Sequence, residues 1–514
     1  MTEENVPVLI AGGGIVGLSA AVFLRTQGVP VLVLERHPGT SFLAKARVLS
    51  PRTMELFRAH GLEEPVRTAP PSVFLAATDV VRAQTLAGPE EYRSTRPPGE
   101  SVAGVSPCPP ALVEQSTVEP LVRARAEQLG ADLRFHTEVT AVRQDTEGIT
   151  AQVLERGTGR RYTVRARYLI AADGHQSPTR RALGIGTHGR RLSQVVNIAF
   201  EADLGEALRG RPVGLAYLAQ PVPGTLLARL DRADRWVLML PYDPQQQDVE
   251  RDFTPERCAA AVREAVGAPV PDLRLLPAVP GSSRLVHPWE LASWVAESYR
   301  QGRILLVGDA VHVMPPSGGL GANTGIQDAH NLAWKLAAVL AGRAGAALLD
   351  SYQAERRPVA ELTCALSARL QEQRAGGDGE DVAERVKRLA MGLGYRYESA
   401  AVVDDDGPQQ GRPGTRAPFL TLGQADRQVP SLDLYGPGFT LVLGPQAPAD
   451  GPVPAGEVTV VRLGRADAWP QAHGVGPAGA VLVRPDGVIA WRAVTWGADA
   501  AGRLGTALSR VLAV

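Results

Sequence analysis

Glycines 12, 14 and 17 form a Gly-x-Gly-x-x-Gly pattern, with Ile15 and Val16 in its last gap. That spacing lets backbone N–H groups approach a pyrophosphate at the start of a helix. The pattern alone is a weak signal, because residues 184–189 and 474–479 repeat it. Only the first copy lies between a strand-like apolar run, residues 6–11, and an amphipathic segment, residues 16–27, as the chemistry requires. Glu35 follows the next apolar run, residues 29–34. A carboxylate there takes ribose hydroxyls and repels a 2′-phosphate, which favours FAD or NAD over NADP. The alternative is a structural glycine turn with a solvated glutamate.

Two further aspartates end apolar runs. Asp173-Gly174 follows residues 168–172, with Ser177 and Arg180 just beyond. Gly308-Asp309-Ala310 follows residues 304–307. Buried strands deliver such residues to the edge of a sheet where ligands bind in open α/β folds. Pro316, Gly319, Gly321, Ala322 and Asn323 then open a long helix, and a glycine-rich helix start offers free N–H groups and a positive dipole end. The plainer readings are a strand-ending turn at Asp173 and an ordinary turn and cap at 315–323. His175, His312 and His330 lie near these motifs, but no HxH or HxxxH pair points to a metal. Cys108, Cys258 and Cys364 are too scattered for a disulfide framework or a metal site.

The elements that must hold these residues read as strand, helix, strand from residue 6 to 34, the opening of a doubly wound α/β sheet. Residues 68–104 are rich in Pro, Gly and polar residues and read as an excursion. Residues 113–129 look helical. Between about 184 and 280, short strands at 197–202, 225–230 and 235–240 suggest an antiparallel sheet. Helices are expected at 322–340 and 346–373, a linker at 404–416, and a small α/β unit after it with a last helix at 503–512. The division expected is 1–180 for the first part of a dinucleotide-binding domain, with its 70–104 excursion reaching towards a substrate domain. A substrate-binding antiparallel sheet at 181–283, the rest of the first domain with long helices at 284–400, and a C-terminal domain at 401–514 complete it.

The chain has 514 residues, with Lys+Arg and Asp+Glu both 54. That balance gives no field of one sign to favour nucleic acid or an anionic membrane. No apolar run is long enough to span a bilayer, and the first residues carry no signal-peptide pattern, so a cytoplasmic protein is expected.

Three fingerprints in order, Gly-x-Gly-x-x-Gly, Asp-Gly and Gly-Asp before a long helix, resemble the class A flavoprotein aromatic hydroxylases. This is the family of para-hydroxybenzoate hydroxylase and phenol hydroxylase, and the resemblance covers about residues 6–370. It implies FAD held by Gly12, Gly14, Ile15, Val16, Gly17, Glu35, Arg36, Arg47, Gln115, Val139, Asp173, Asp309, Pro316, Gly319, Gly321, Ala322 and Asn323. Asp309 would accept from the ribityl hydroxyls, and the helix start after it would face the flavin pyrimidine. Arg52 is the weaker of the two arginines near 47, and a buried structural amide is the alternative for Gln115. The segments 429–441 and 481–492 resemble the thioredoxin-like tail of larger members, here without a CxxC motif. Together with 333–340 they make the chain most similar to the aromatic polyketide hydroxylases of antibiotic biosynthesis.

The resemblance implies a monooxygenase that takes electrons from NADPH or NADH and one oxygen atom from O₂. Hydroxylation would run through a flavin C4a-hydroperoxide, with no protein residue as catalyst and no metal. Tyr217, Trp236 and Met239 are candidates for the substrate wall, with core packing as the plainer reading of each. Baeyer–Villiger or ring-rearranging oxidation, hydroxylation of a simpler phenol, and a non-catalytic flavin-binding role stay open. A flavin halogenase would carry Trp-x-Trp-x-Ile, and none of the seven tryptophans has that spacing. A homodimer is compatible with all of these readings.

Overall fold

The N-terminal apolar run becomes the strand Glu3–Ala11, parallel to Val31–Glu35 on one side and to Arg161–Ala171 on the other. Val8, Leu9 and Ile10 are fully buried, as suits a parallel strand covered on both faces. The computed structural model describes residues 3–40, 45–72, 79–95, 102, 104–277, 284–374, 392–424, 427–448, 458–464 and 468–514. Asp132–Phe135 extends the sheet past Val31–Glu35, and Ile304–Leu306 extends it past Arg161–Ala171. These five strands are mutually parallel, and Ala11 is level with Leu34 and Ala171, which is level with Leu306. The chain segments carrying Gly12, Glu35, Asp173 and Asp309 therefore leave one edge together.

Helices pack together on one face of this sheet, Gln115–Gln128 among them through Val118, Val122 and Ala126. Ile15–Thr26 and the 20-residue helix Gly321–Leu340 share a core, with Leu18, Ala21 and Val22 beside Ile326, Ala329 and Ala333. The helix after them, Asp350–Arg374, is entered through a short 3₁₀ turn, Ala346–Leu349, rather than running unbroken from 346.

The second sheet is mostly antiparallel. Its order is His312–Val313, Val286–Ala296, Thr187–Glu201, Arg235–Tyr242, Thr225–Arg229, Val213–Leu218, Asp79–Ala83, Glu90–Thr95. The excursion thus supplies two strands, Asp79–Ala83 lying parallel to Val213–Leu218. Strand Thr187–Glu201 starts ten residues before the expected 197 and absorbs the second glycine pattern. There Gly189 is needed for packing, since a Cβ would lie 2.2 Å from the Ser293 carbonyl oxygen. In the third copy, Gly474 ends the short helix Trp469–His473 with φ +62°.

Phe439–Leu443 pairs in parallel with Val458–Arg462 and antiparallel with Ala480–Val483, which pairs with Ile489–Ala493. The helix Ala498–Leu512 follows, beginning five residues earlier than its pattern suggests. The three cysteines all lie outside this domain, are buried and are unpaired. The expected linker at 404–416 is not a loose tether. Gly414 N donates to Ile489 O at 2.8 Å, Arg416 bridges to Val488, and Asp405 pairs with Arg492. Those backbone groups need partners as the segment runs along the strand Ile489–Ala493.

Arg484 docks this small domain on the large one. Fully buried, it donates to Glu355 Oε1 and Oε2 at 2.6 and 2.9 Å and to Asp486 Oδ1 at 3.0 Å. Lys335 and Asn331 of the long helix reach the same Glu355 oxygen at 2.8 and 2.7 Å. Burial alone would raise the Glu355 pKa, but Arg484 and Lys335 outweigh it and hold the carboxyl below the usual range. Arg484→Met should lower stability by about 3–5 kcal/mol, because it strands buried carboxylates. Urea unfolding followed by far-UV circular dichroism checks this; an unchanged midpoint would mean that the joint contributes nothing.

Candidate active site

The first glycine turn is shaped by close contact. Gly12 has φ +108°, and a Cβ there would sit 2.3 Å from the Ala172 carbonyl oxygen. A Cβ on Gly17 would sit 2.0 Å from Gly12 O. The helix that starts at Ile15 has no side-chain cap and no acid in its first turn. Its free N–H groups and dipole therefore face the crevice. Glu35 accepts from Gly13 N at 2.6 Å and from His37 N at 2.8 Å, which fixes its carboxylate at the rim. Arg36 and Val139 line the crevice beside it. Glu119, fully buried and unmarked in the sequence reading, accepts from Ile15 N at 3.1 Å and Gln115 Nε2 at 2.6 Å. Gln115 accepts from Ala46 N at 3.2 Å, so this amide braces the 46–47 loop while lining the cavity.

Asp309 sits in a 3₁₀ turn, Gly308–Ala310, exposed on the cavity. The turn is held from behind by Asp328. Its Oδ2 accepts from His312 Nε2 at 2.7 Å and from Gly308 N at 3.3 Å, and its Oδ1 from Arg356 Nε at 2.7 Å. Burial works to raise the Asp328 pKa, but Arg356 and His312 prevail and keep it below the usual range. The helix Gly321–Leu340 also starts without a side-chain cap or a first-turn acid. Pro316, Gly319, Gly321 and Ala322 line the cavity at this start. Gly325 lets the helix close in, since a Cβ would meet Val16 Cγ2 at 2.7 Å and Gly308 Cα at 3.0 Å.

Some expected ligands are otherwise engaged. Asn323 does not line the cavity. Its oxygen accepts from Ser50 N and Thr53 Oγ1 at 2.8 and 2.7 Å, and its nitrogen donates to Val48 O and Gly319 O at 2.9 Å. All its capacity is spent on pinning the helix start to the 48–53 segment. Arg52 faces away too, bonding Glu55 and the Asp486 carbonyl. Arg47 does line the cavity, donating to Arg229 O at 2.9 Å with Glu114 3.5 Å away. Burial lowers its pKa, and Glu114 opposes the shift. Asp173 lines the cavity while it accepts from Ser177 Oγ at 2.6 Å and Thr179 N at 3.0 Å.

The crevice opens onto the second sheet, and together they enclose about 1820 Å³. Tyr217 and Met239 line this part, but Trp236 does not. Strand side chains alternate in direction, so Trp236 and Met239, three apart, point to opposite faces. Trp236 is buried in the core behind the sheet with Phe200, Leu238 and Val262, under the Arg229 guanidinium. Tyr217 reaches back to the glycine loop, its hydroxyl 3.2 Å from Ser317 Oγ, which donates to Gln371 Oε1 at 2.5 Å. Asn197, His287 and Trp289 also line this wall and went unmarked in the sequence reading. Asn197 is the cross-strand partner of Met239, a register that no local sequence pattern reports. Among the described residues no cluster of His, Cys, Asp and Glu is placed to hold a metal, and no helix is long and apolar enough to cross a membrane.

Two uncapped helix starts, a rim carboxylate and an exposed aspartate converge on one crevice, and an apolar chamber adjoins it. These features fit FAD, and they define a dinucleotide-binding flavoprotein of the doubly wound α/β class. Residues 5–367 match the family model described as FAD binding domain, and residues 410–513 match the aromatic-ring hydroxylase C-terminal model. Tetracenomycin A2 monooxygenase-dioxygenase of Streptomyces glaucescens is 39% identical, covering 100% of this chain and 98% of that protein. A 4-methyl-5-nitrocatechol 5-monooxygenase of a Burkholderia species is also 39% identical, covering 99% and 98%. The crystal structure of aklavinone-11 hydroxylase with FAD and aklavinone superposes with a TM-score of 0.84 at 35% identity, covering 100% of both chains. The chain belongs to the FAD-dependent aromatic-ring hydroxylases and is a flavin monooxygenase.

Asp309→Ala should release FAD more readily while leaving the fold intact. A charge-assisted hydrogen bond contributes about 1.5–3 kcal/mol, so the dissociation constant should rise by roughly ten- to a hundredfold. Recovery of flavin fluorescence on dilution measures it. Unchanged retention would remove Asp309 from the site.

Proposed function

We propose that this protein inserts one oxygen atom from O₂ into an aromatic polyketide of several fused rings, with NADPH or NADH as electron donor. The observation that carries the reading is the size and continuity of the cavity. Single drug-sized sites span roughly 300–1,000 Å³, whereas this one, at 1820 Å³, has room for FAD and a second large ligand. Bound FAD supplies the redox chemistry and the activation of O₂.

The protein's own groups bind, orient and shield. The Gly12–Gly17 turn would take the pyrophosphate on amides such as Gly14 N and Val16 N, since Glu119 holds Ile15 N and Leu34 O holds Gly12 N, while Glu35 would take the ribose and Asp309 the ribityl chain. The helix start at Gly321 and Ala322 would lie against the pyrimidine edge, where its dipole favours the negative charge of reduction. Leu215, Leu226 and Met239 would press the substrate against the ring and keep water out. The names of two relatives, a tetracenomycin oxygenase and an aklavinone hydroxylase, support a polyketide substrate. The nitrocatechol relative favours a second reading, a single-ring phenol, which the cavity would hold loosely. Three buried free cysteines suit the reducing cytoplasm, where NADPH is available.

With a polycyclic phenol, NADPH and ¹⁸O₂, the product should gain one labelled oxygen, read by mass spectrometry. The position of the label separates hydroxylation from ring expansion. Label found only when single-ring phenols are supplied would leave the monooxygenase and overturn the polyketide assignment.

A further inference from the structure

The wall of the substrate chamber carries a polar cross-strand pair with no role in the account above. His287, on Val286–Ala296, lies directly opposite Asn197, on Thr187–Glu201, in the antiparallel ladder. Both line the cavity, with Ala199, Leu215, Leu226 and Met239 as apolar company. Residues paired in this way hold their Cβ atoms about 4.5–5.5 Å apart, close enough to grip one edge of a flat molecule.

Trp289, two residues beyond His287, settles which way the Asn197 amide points. Its indole Nε1 donates to Asn197 Oδ1 at 2.8 Å. An indole nitrogen can only donate, so the oxygen must be its partner and the amide NH₂ remains as the free donor. His287 forms no hydrogen bond with another group among the described residues. Burial pushes its imidazole below the ordinary value, and Lys45 adds to the effect, so at neutral pH the ring keeps one bare nitrogen. The two strands thus present an amide donor beside an imidazole acceptor, with Ala199, Leu215, Leu226 and Met239 as apolar neighbours on a wall that also carries Tyr217, Arg235 and Glu290.

We propose that Asn197 and His287 read one edge of the substrate, Asn197 donating to a ring carbonyl and His287 accepting from a phenolic hydroxyl on the same edge. The substrate class is then an aromatic keto-phenol rather than a plain polycyclic phenol. The inference rests on the monooxygenase reading, which brings an aromatic substrate into this chamber. Both residues position the substrate, and neither is asked to react. A site built around a hydroxyl rejects the analogue lacking it much more strongly than an apolar wall can.

The test is binding to oxidised, FAD-loaded protein, followed by the shift in flavin absorbance. The probes are 2-hydroxyanthraquinone, which has both groups, and 9,10-anthraquinone, which lacks the hydroxyl. Wild-type protein should prefer the hydroxylated probe, and His287→Phe should cut that preference by about tenfold. His287→Ala reads the same effect without added bulk, and decides the matter if the phenylalanine variant does not retain flavin. Trp289→Phe keeps a ring and removes only the indole donor. It should weaken both probes alike and leave their ratio intact, because both carry the carbonyl that Asn197 holds. A preference untouched in the His287 variants, or a Trp289→Phe variant that binds both probes as wild type does, overturns the proposal. Oxygen insertion is scored separately with ¹⁸O₂. Label in the product with no edge discrimination keeps the monooxygenase and removes the pair. Discrimination without label keeps the pair and removes oxygen insertion.

Discussion

A fully buried carboxylate, Asp328, holds the site together. Its oxygens take a backbone N–H from the Gly308 turn, an imidazole nitrogen from His312 and a guanidinium from Arg356. Arg356 also donates to the Thr324 carbonyl, at 3.2 Å, and the Tyr397 hydroxyl, at 2.9 Å. A buried charge costs several kcal/mol unless every lone pair finds a partner, so these elements cannot shift independently. Through this one group the turn that exposes Asp309, the long helix and the helix Asp350–Arg374 become a single rigid piece.

The crevice itself depends on side chains that are missing. Gly12, Gly17 and Gly325 sit where a Cβ would fall within 2.0 to 2.7 Å of a neighbouring atom. Their absence lets two helix N-termini and several parallel strand ends crowd one line. Neither helix start has a capping side chain or a first-turn acid, so the positive ends of both dipoles stay available. Buried Glu119, from another helix, takes one amide of the first helix start, Ile15 N.

The small C-terminal domain takes part in this rigidity, and none of its described residues lines the cavity. Arg484 and Glu355 connect it to the helix Asp350–Arg374, one residue before Arg356, and Lys335 ties the same pair to the long helix. With no cysteine in this domain, dithiol chemistry is closed to it, and its buried surface is spent on bracing. The second sheet faces the crevice with alternate side chains only, which makes one wall both a packed core behind and a ligand surface in front.

Parallel strands, the glycine turn, Glu35, Asp173 and Asp309 were legible in the sequence, because local spacing reports backbone needs that are themselves local. A strand, a tight turn and a helix start must follow one another in the chain, and so they leave a pattern. Other features depend on distant partners and leave none. Asn323 reads as a cofactor ligand in its motif, yet Ser50 and Thr53, some 270 positions earlier, consume it. Trp236 reads as a wall candidate or, more plainly, as core, and the register against Thr187–Glu201 puts it in the core. Asp79–Ala83 and parts of the 404–416 segment look irregular because partners such as Val213–Leu218 and Ile489 lie elsewhere in the chain. The sequence by itself determined the strand, turn and helix starts that bring Gly12, Glu35, Asp173 and Asp309 to one crevice. Tertiary structure alone decided which polar groups face the cavity, because that depends on strand register and on whose hydrogen bonds are already taken.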